Sequence, residues 1–172
     1  ENDLALGGRS VTIRTPTTVY TDVFVPLNGR HQGDNAAVAL TAVEAFFAAP
    51  VSGEVVDEGF SQVTMPGRFE VVGHQPLVII DGAHNPPGAD SCATVFFDDF
   101  DPAGRRLLVV GCLKGRDPRD MLSALRADEF DRVFVCTAPT PRGLPGPDLA
   151  QAARDIGCDD VVLVDTVERA ID

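Results

Sequence analysis

The stretch Pro76-Leu77-Val78-Ile79-Ile80-Asp81-Gly82-Ala83-His84-Asn85-Pro86 joins an apolar run to a group of polar side chains. A continuous run of Val, Ile and Leu is typical of a strand that is buried on both faces of a parallel sheet. Ligands of open α/β sheets bind just beyond the carboxyl ends of such strands. Asp81, His84 and Asn85 are therefore candidate site residues. An ordinary turn that leads into a helix N-cap explains the same residues equally well, because Asp, Gly, Asn and Pro are common turn formers.

From residue 68 onward, strand-like and helix-like segments alternate. The predicted strands are residues 69–72, 77–80, 107–112, 132–136 and 161–164. The predicted helices are residues 87–97, 117–127, 148–156 and a last one from 166 to 172. This alternation predicts an α/β fold with a Rossmann-like, mostly parallel sheet and flanking helices. Four strands would be parallel, and residues 69–72 would form an antiparallel hairpin with residues 77–80.

The first 63 residues have a different pattern. Residues 11–15 and 18–25 predict an antiparallel hairpin, and residues 35–48 predict a helix with Asp34 or Asn35 as its N-cap. The apolar face expected for this helix consists of Val38, Ala42, Ala45 and Phe46. The polar string ahead of it, which includes His31, forms either a solvated loop or an anion site at the helix start. A short helix over residues 54–63 follows, and we expect a domain boundary between residues 63 and 64.

The composition is that of a globular protein and argues against several functions. Of the 172 residues, 44% are hydrophobic and 23% charged, and no run approaches the roughly 20 apolar residues of a membrane span. The net charge of −12 argues against a nucleic-acid or anionic-membrane surface, because both need a positive footprint. The four scattered cysteines are expected to be small buried side chains in a cytoplasmic protein. No metal site is predicted, since no two of the three histidines have helical spacing.

Three loops follow the predicted parallel strands, at residues 81–87, 113–118 and 137–147. Because the carboxyl ends of parallel strands share one edge of a sheet, these loops are expected to line one cleft. Lys114, Arg116 and Arg142 lie in them, either as solvated side chains or as part of a site. The G-x-x-x-x-G-K-[ST] phosphate loop, the G-x-G-x-x-G fingerprint and the G-x-S-x-G elbow are absent. Of the histidines, His31 and His84 are the two candidates for a functional role.

Three motifs in order resemble those of the folylpolyglutamate synthase/dihydrofolate synthase family, a branch of the Mur ligase superfamily. They are H-Q-x-x-N-A at residues 31–36, G-R-F-E at residues 67–70 and D-G-A-H-N-P at residues 81–86. Residues 137–143 also resemble the family's P-x-x-R loop. Gly115-Arg116-Asp117 stands where the family often has a lysine, which leaves the role of that position open. The resemblance extends over nearly the whole chain from Val11.

The resemblance implies an enzyme that uses ATP and Mg²⁺ to activate a folate carboxylate as an acyl phosphate, which the amine of L-glutamate then attacks. By motif, Asn35 would contact ATP from the helix start, Arg68 would reach its phosphates and Asp81 would hold the ribose or adenine. His84 would support catalysis near the same cleft. A guanidinium suits bidentate binding of phosphate, and a carboxylate at a strand end suits sugar hydroxyls. The resemblance implies no nucleic-acid or membrane partner.

The same resemblance implies that this chain is a piece of a longer enzyme. Residues 1–63 would be the tail of the central ATPase domain, and residues 64–172 an incomplete C-terminal Rossmann-like ligase domain. The P-loop domain and the metal ligands would lie upstream, so we expect no ligase turnover from these residues alone. Two alternatives remain: a Mur-type peptidoglycan or cyanophycin ligase, and a non-catalytic α/β module that binds a nucleotide or a protein.

Overall fold

The computed structural model describes residues 1–171, which form two compact units. The first unit is Glu1–Gly82 and the second begins at Ala83. The domain boundary expected between residues 63 and 64 is a different division of the chain and stays a prediction. No helix within residues 1–171 is long and apolar enough to cross a membrane.

The first unit is built on a three-stranded antiparallel sheet. Its strands are β1 (Asn2–Ala5), β2 (Gly8–Arg14) and β3 (Val19–Val25), in that order across the sheet. β2 and β3 confirm the predicted hairpin. β1 was missed, because its four residues do not alternate between apolar and polar side chains. The buried apolar side chains of the sheet are Val11, Ile13, Tyr20, Val23 and Val25.

Helix α1 (Arg30–Phe47) begins five residues earlier than predicted. Asp34 and Asn35 therefore lie inside the helix, and neither of them is its N-cap. Gly29 occupies the cap position with a φ of 99°, a conformation that glycine adopts readily and that needs no capping side chain to bring the chain into the helix. The polar string around His31 thus forms the first turns of α1 rather than a loop ahead of it.

The face of α1 that packs on the sheet is also not the predicted one. Its buried residues are Gln32, Gly33, Ala36, Leu40 and Glu44. Val38 and Phe46, expected in the core, are 70% and 82% exposed. Both faces have helical spacing, so the sequence pattern could not show which of them is buried. Gly33 decides the choice, because a Cβ at this position would lie only 2.4 Å from Asn2 Nδ2, and only glycine allows so close an approach to the sheet.

A buried carboxylate fixes the second half of α1. The Tyr20 hydroxyl donates a hydrogen bond to Glu44 Oε1 (2.5 Å), and the Thr17 hydroxyl donates one to Oε2 (2.7 Å). Hydrogen bonds from Thr15, Thr17 and Tyr20 hold the pKa of the Glu44 carboxyl below its usual value. The Val51 N–H donates to the Tyr20 oxygen (3.1 Å) and so extends the network to the chain that enters α2 (Gly53–Ser61).

The first unit ends in a hairpin of β4 (Glu70–His74) and β5 (Leu77–Ile80), as predicted. The expectation that β5 lies within the parallel sheet was wrong. In the described part of the chain, β5 pairs with β4 alone, and Ile80 is 51% exposed. A short apolar run does not by itself distinguish a buried parallel strand from one arm of a hairpin.

The second unit is an α/β structure around a parallel sheet. Its strands are β6 (Leu107–Val110), β7 (Arg132–Val135) and β8 (Val161–Leu163), paired in the order β6-β7-β8. Its helices are α3 (Pro86–Thr94), α4 (Pro118–Ala124), α5 (Gly146–Asp155) and α6 (Glu168–Ile171). The α/β class with a parallel sheet and flanking helices is thereby confirmed. Asp172, the last residue of the predicted final helix, lies outside the described residues.

Local signals placed most helices of this unit well. Asp117, predicted as the first residue of its helix, is the N-cap of α4, and its carboxylate accepts the Arg119 N–H at 3.0 Å. The helix predicted over residues 87–97 ends at Thr94, and a π-helical segment, Val95–Phe100, continues it. The wider turn brings Phe97 into the core, where its ring meets Phe130 edge-on at 5.1 Å. The spacing of apolar residues in the sequence does not predict this π-helical segment.

Candidate functional site

A tight turn carries the G-R-F-E motif of the first unit. Gly67 and Phe69 have positive φ angles of 70° and 43°, and the Gly67 N–H donates to a Glu70 carboxylate oxygen (2.7 Å). A positive φ is unusual for an aromatic residue and needs support from its surroundings. Burial supplies it here, because Phe69 is only 2% exposed. With Phe69 turned inward, the side chain of Arg68 is left at the surface.

The backbone of Phe69 ties three segments together. Its N–H donates to Asp81 Oδ2 (2.8 Å), directly after β5, and its carbonyl accepts from Asn28 Nδ2 (3.1 Å), just ahead of α1. The Gly82 N–H also donates to the Gly67 carbonyl (2.7 Å). The start of α1, the Arg68 turn and Asp81 are therefore held together within one unit, although they lie far apart in sequence.

His31, in the first turn of α1, faces this group. Burial is the main cause that lowers the pKa of its imidazole, and Arg68 lowers the pKa further, while Asp81 and Asp34 raise it. Such electrostatic effects require these charges to be near the ring. With a pKa below 6.5, the imidazole is neutral at pH 7. The sequence analysis named His31 as a candidate but assigned it no role. Its position in the H-Q-x-x-N motif was the feature that could have indicated a role at the site.

Asn35 lies one turn after His31 on the same face of α1, four residues further along. Its side chain is exposed, and its Nδ2 donates to Gln32 Oε1 (3.2 Å). The position predicted for Asn35, at the helix start, was wrong. Asn35 nevertheless lies on the same face of α1 as His31, next to the N-terminus of the helix. Free backbone N–H groups and the helix dipole favour an anion at that N-terminus.

His84 and Asn85 fall in the second unit. Asn85 is the N-cap of α3 and accepts the Gly88 N–H at 2.9 Å, so the simple explanation of a helix cap holds for this residue. The His84 side chain is exposed. The motif D-G-A-H-N-P thus combines a residue of the first unit, Asp81, with a helix start that belongs to the second.

Two of the three predicted loops meet at the carboxyl edge of the parallel sheet. The Lys114 N–H donates to the Arg142 carbonyl and the Leu144 N–H to the Cys112 carbonyl, each at 2.8 Å. Lys114, Arg116 and Arg142 are exposed on these joined loops, and no carboxylate within residues 1–171 forms an ion pair with them. The strand order β6-β7-β8 does not reverse, so these three strands contain no topological switch point of the kind that often forms a ligand crevice.

Metal-binding chemistry has no counterpart in the part of the chain that the structure describes. No group of three or more His, Cys, Asp or Glu side chains within residues 1–171 could hold a metal ion. Cys112, Cys136 and Cys158 are buried, as expected, and burial raises the pKa of each of these thiols. The same expectation was wrong for Cys92, which is only partly buried.

Comparison with known proteins gives a consistent family. Residues 67–172 match the model of the family described as Mur ligase, glutamate ligase domain. A dihydrofolate synthase/folylpolyglutamate synthase of Mycobacterium tuberculosis is 39% identical over 98% of this chain, which spans 35% of that protein. A crystal structure of the M. tuberculosis folylpolyglutamate synthase with ADP and AMPPCP superimposes with a TM-score of 0.92 at 39% identity, over 99% of this chain and 38% of that one.

A more distant enzyme shares the same architecture. The Yersinia pestis bifunctional folylpolyglutamate synthase/dihydrofolate synthase, complexed with AMPPNP and Mn ion, has a TM-score of 0.67 at 28% identity, over 86% of this chain and 33% of that one. The chain thus spans little more than a third of the length of the relatives it matches. The resemblance recognised in the three motifs is confirmed: the chain belongs to the Mur ligase family, and its residues 67–172 are a glutamate ligase domain similar to that of folylpolyglutamate synthases.

Proposed function

We propose that this chain is part of an ATP-dependent ligase that joins L-glutamate to a folate derivative through an acyl phosphate. The parent enzyme would be a tetrahydrofolylpolyglutamate synthase, a dihydrofolate synthase or both. The observation that carries the proposal is the group of Arg68, Asp81 and His31 around the Phe69 turn, in a chain whose relatives bind adenine nucleotides. A Mur-type peptidoglycan ligase is not favoured, because the similarity to the M. tuberculosis folate enzyme extends over 98% of the chain.

The chemistry of this group fits a nucleotide. Arg68 would bind phosphate oxygens through its guanidinium, the geometry that a phosphoryl-transfer clamp needs. Asp81 would accept a ribose hydroxyl, since a carboxylate can accept further hydrogen bonds beside the one from Phe69. Asn35 and the N-terminus of α1 would complete this side, and His84 would have a supporting role. When bound, ATP supplies the phosphoryl group that makes the folate carboxylate reactive toward the amine.

The metal ligands belong elsewhere in this proposal. Mg²⁺ would be held by the P-loop domain of the parent enzyme, through carboxylate and phosphate oxygens. The family match from Gly67 supports a ligase domain over residues 64–172, with residues 1–63 as the tail of an ATPase domain. A cytoplasmic location stays a prediction for the parent enzyme.

The joined loops at the carboxyl edge of β6 and β7 suit the acidic substrates. Lys114, Arg116 and Arg142 form a positive surface on a chain of net charge −12, and both glutamate and the glutamyl end of a folate are carboxylates. We propose that these residues attract and orient a substrate carboxylate. By contrast, Arg119 and Arg132 of the same unit are neutralised by Asp117 and Asp160.

Calorimetric titration of ATP into this chain tests the nucleotide assignment. Arg68→Ala should weaken binding about 10- to 100-fold, as expected for the loss of a charge-assisted contact of about 1.5–3 kcal/mol. Arg68→Lys should recover part of the affinity, since it keeps the charge but not the bidentate geometry. Arg105→Ala is the matched control, because it removes an exposed arginine of the other unit. Equal affinity for all four proteins would remove Arg68 from the site.

A further inference from the structure

Asn28 and Gly29 are the only Asn-Gly pair of the sequence, and they lie in the short segment between β3 and α1. Asparagine is a thermolabile residue, because the backbone nitrogen that follows it can attack its side-chain amide and close a five-membered succinimide ring. A following glycine makes the attack easiest, since it has no Cβ to hinder the approach and its backbone is the least restricted. The other three asparagines are followed by Asp3, Ala36 and Pro86.

The hydrogen bonds around this pair leave the two reacting groups unprotected. The Gly29 N–H donates to none of residues 1–171, so its nitrogen can lose a proton without breaking a hydrogen bond within the protein. The amide of Asn28 is held through Nδ2 alone, which donates to the Phe69 carbonyl (3.1 Å). Asn28 is half-buried and lies outside the helices and strands, whose regular backbone would keep the ring from closing.

A second pair in the same unit, Asp81-Gly82, shows the opposite arrangement. An aspartate followed by glycine can close the same ring with loss of water. Here the Gly82 N–H donates to the Gly67 carbonyl (2.7 Å), and Asp81 Oδ2 accepts the Phe69 N–H (2.8 Å). Ring closure at Asp81 would break both hydrogen bonds. Of the two pairs, the fold therefore protects Asp81 and leaves Asn28 reactive.

We propose that Asn28 is a site of spontaneous deamidation in the folded protein. The Gly29 nitrogen forms a bond to Asn28 Cγ, the Cγ–Nδ2 bond breaks, and Nδ2 leaves as ammonia with the proton that the Gly29 nitrogen releases. Water then opens the succinimide. Attack of water at Cγ gives aspartate, and attack at the main-chain carbonyl of residue 28 gives isoaspartate. Solvent water is the only co-reactant, and no electrons are transferred.

Either product removes a connection between the start of α1 and the Arg68 turn. A carboxylate has acceptors only, so it cannot replace Nδ2 as the donor to the Phe69 carbonyl. Isoaspartate also adds one methylene to the main chain directly ahead of α1. The helix itself tolerates the new charge, since negative charge near a helix N-terminus is favourable. An effect on ATP rests on the proposed function: the new carboxylate would compete with phosphate for that helix end.

Mass spectrometry of this chain tests the proposal. During incubation of the folded protein at neutral pH and physiological temperature, its mass should rise by about 1 Da, because an amide NH₂ is replaced by a hydroxyl. Peptide mapping should place the change at Asn28, and an isoaspartyl methyltransferase should label the isoaspartate there. A mildly alkaline buffer should speed the reaction, since the attacking nitrogen must lose its proton.

Three controls keep the result interpretable. The exposed Asn35 is an internal control and should stay an amide, because it lies within α1. Asn28→Gln should abolish the mass change, since its longer side chain would have to close a six-membered ring. The chain unfolded in urea gives the reference rate. An Asn28 that stays intact in the folded protein while the unfolded chain reacts would overturn the proposal. So would isoaspartate that forms in the folded protein at Asp81 as fast as at Asn28.

Asn28→Asp reproduces one product and tests the structural consequence. The urea midpoint followed by Tyr20 fluorescence should fall by about 0.5 M, as expected for the loss of one hydrogen bond. Gln75→Glu is the matched control, because it adds the same charge at an exposed turn of the same unit, and it should leave the midpoint unchanged. Equal midpoints for the two variants would overturn the claim that deamidation loosens the Arg68 turn.

The outcome is separable from that of the proposed function. If ATP binds the unaltered chain, Asn28→Asp should weaken that binding about 3- to 10-fold. Failure of ATP to bind the unaltered chain would remove the nucleotide assignment. The mass and the urea midpoint report on Asn28 in either case.

Discussion

Replacing Gly33 by alanine should destabilise the first unit, although alanine is the better helix former. A Cβ at Gly33 would lie 2.4 Å from Asn2 Nδ2 and 2.9 Å from Val11 Cγ1. Asn2 cannot simply move aside, because its Nδ2 donates to the Arg30 carbonyl (2.9 Å) and its Oδ1 accepts from Arg9 Nε (2.6 Å). The added methyl group must therefore push α1 from the sheet or break these hydrogen bonds.

The separate free-energy contributions show that Gly33→Ala lowers the free energy of unfolding. Overpacking costs about 1–3 kcal/mol and loss of the hydrogen bond from buried Arg9 about 1–2 kcal/mol, against a gain in helix propensity of about 1 kcal/mol. We expect a net loss of about 2–3 kcal/mol. Gly59→Ala in α2 is the matched control, since a Cβ there has no atom within 4 Å, and it should gain about 0.5–1 kcal/mol.

Tyrosine fluorescence follows this unit selectively during urea unfolding. The chain has one tyrosine and no tryptophan, and Tyr20 lies in the buried core of the first unit. The midpoint should fall by about 1–2 M for Gly33→Ala and rise for Gly59→Ala. Adding Asn2→Ala should reduce the cost of Gly33→Ala, because it removes the atom that the methyl group meets. A Gly33→Ala midpoint at or above that of the unaltered protein would refute the close-packing argument.

Three other predictions concern single side chains. The folded-state pKa of Glu44 lies below its usual 4.5, so the stability it provides is complete above that pH and is lost as the pH falls through the folded value. Glu44→Gln should therefore flatten the dependence of the urea midpoint on pH below about 5, and an unchanged slope would contradict this. NMR titration should give a pKa of His31 below 6.5, which Arg68→Ala raises and Asp81→Asn lowers further; opposite signs would exclude their proximity. Thr137→Val removes the acceptor of the Gly146 N–H (2.9 Å) at the start of α5 and should cost about 1 kcal/mol by circular dichroism, whereas the exposed Thr64→Val should be neutral.

The parts of the fold that could be predicted are determined by residues close together in sequence. The strand bounds of the second unit follow from apolar runs between turn residues, and α4 starts where Asp117-Pro118 signals a helix start. The start of α1 was missed because glycine can begin a helix through its backbone alone. Its buried face was misassigned because the decisive contact, Gly33 against Asn2, joins residues 31 positions apart. Periodicity carries no information about such a contact.

The candidate site was predictable as a set of residues but not as an arrangement. The three motifs named Asn35, Arg68 and Asp81, and the chemistry of each suits a nucleotide. What the sequence could not supply is the role of Phe69, whose backbone donates to Asp81 and accepts from Asn28. Main-chain hydrogen bonds of a turn are independent of side-chain type, so no pattern of residues predicts them. The importance of His31 follows from that arrangement.

The strand order of the second unit has a consequence for its synthesis on the ribosome. Each of β6, β7 and β8 pairs with the strand next to it in sequence, and one α-helix separates each pair. β7 can therefore find β6 as soon as it emerges, and β8 can add to a sheet that already exists. Contacts between segments close in sequence speed folding and shorten the time that an unpaired strand edge is open to aggregation. This sheet can grow in the same direction as the chain is made.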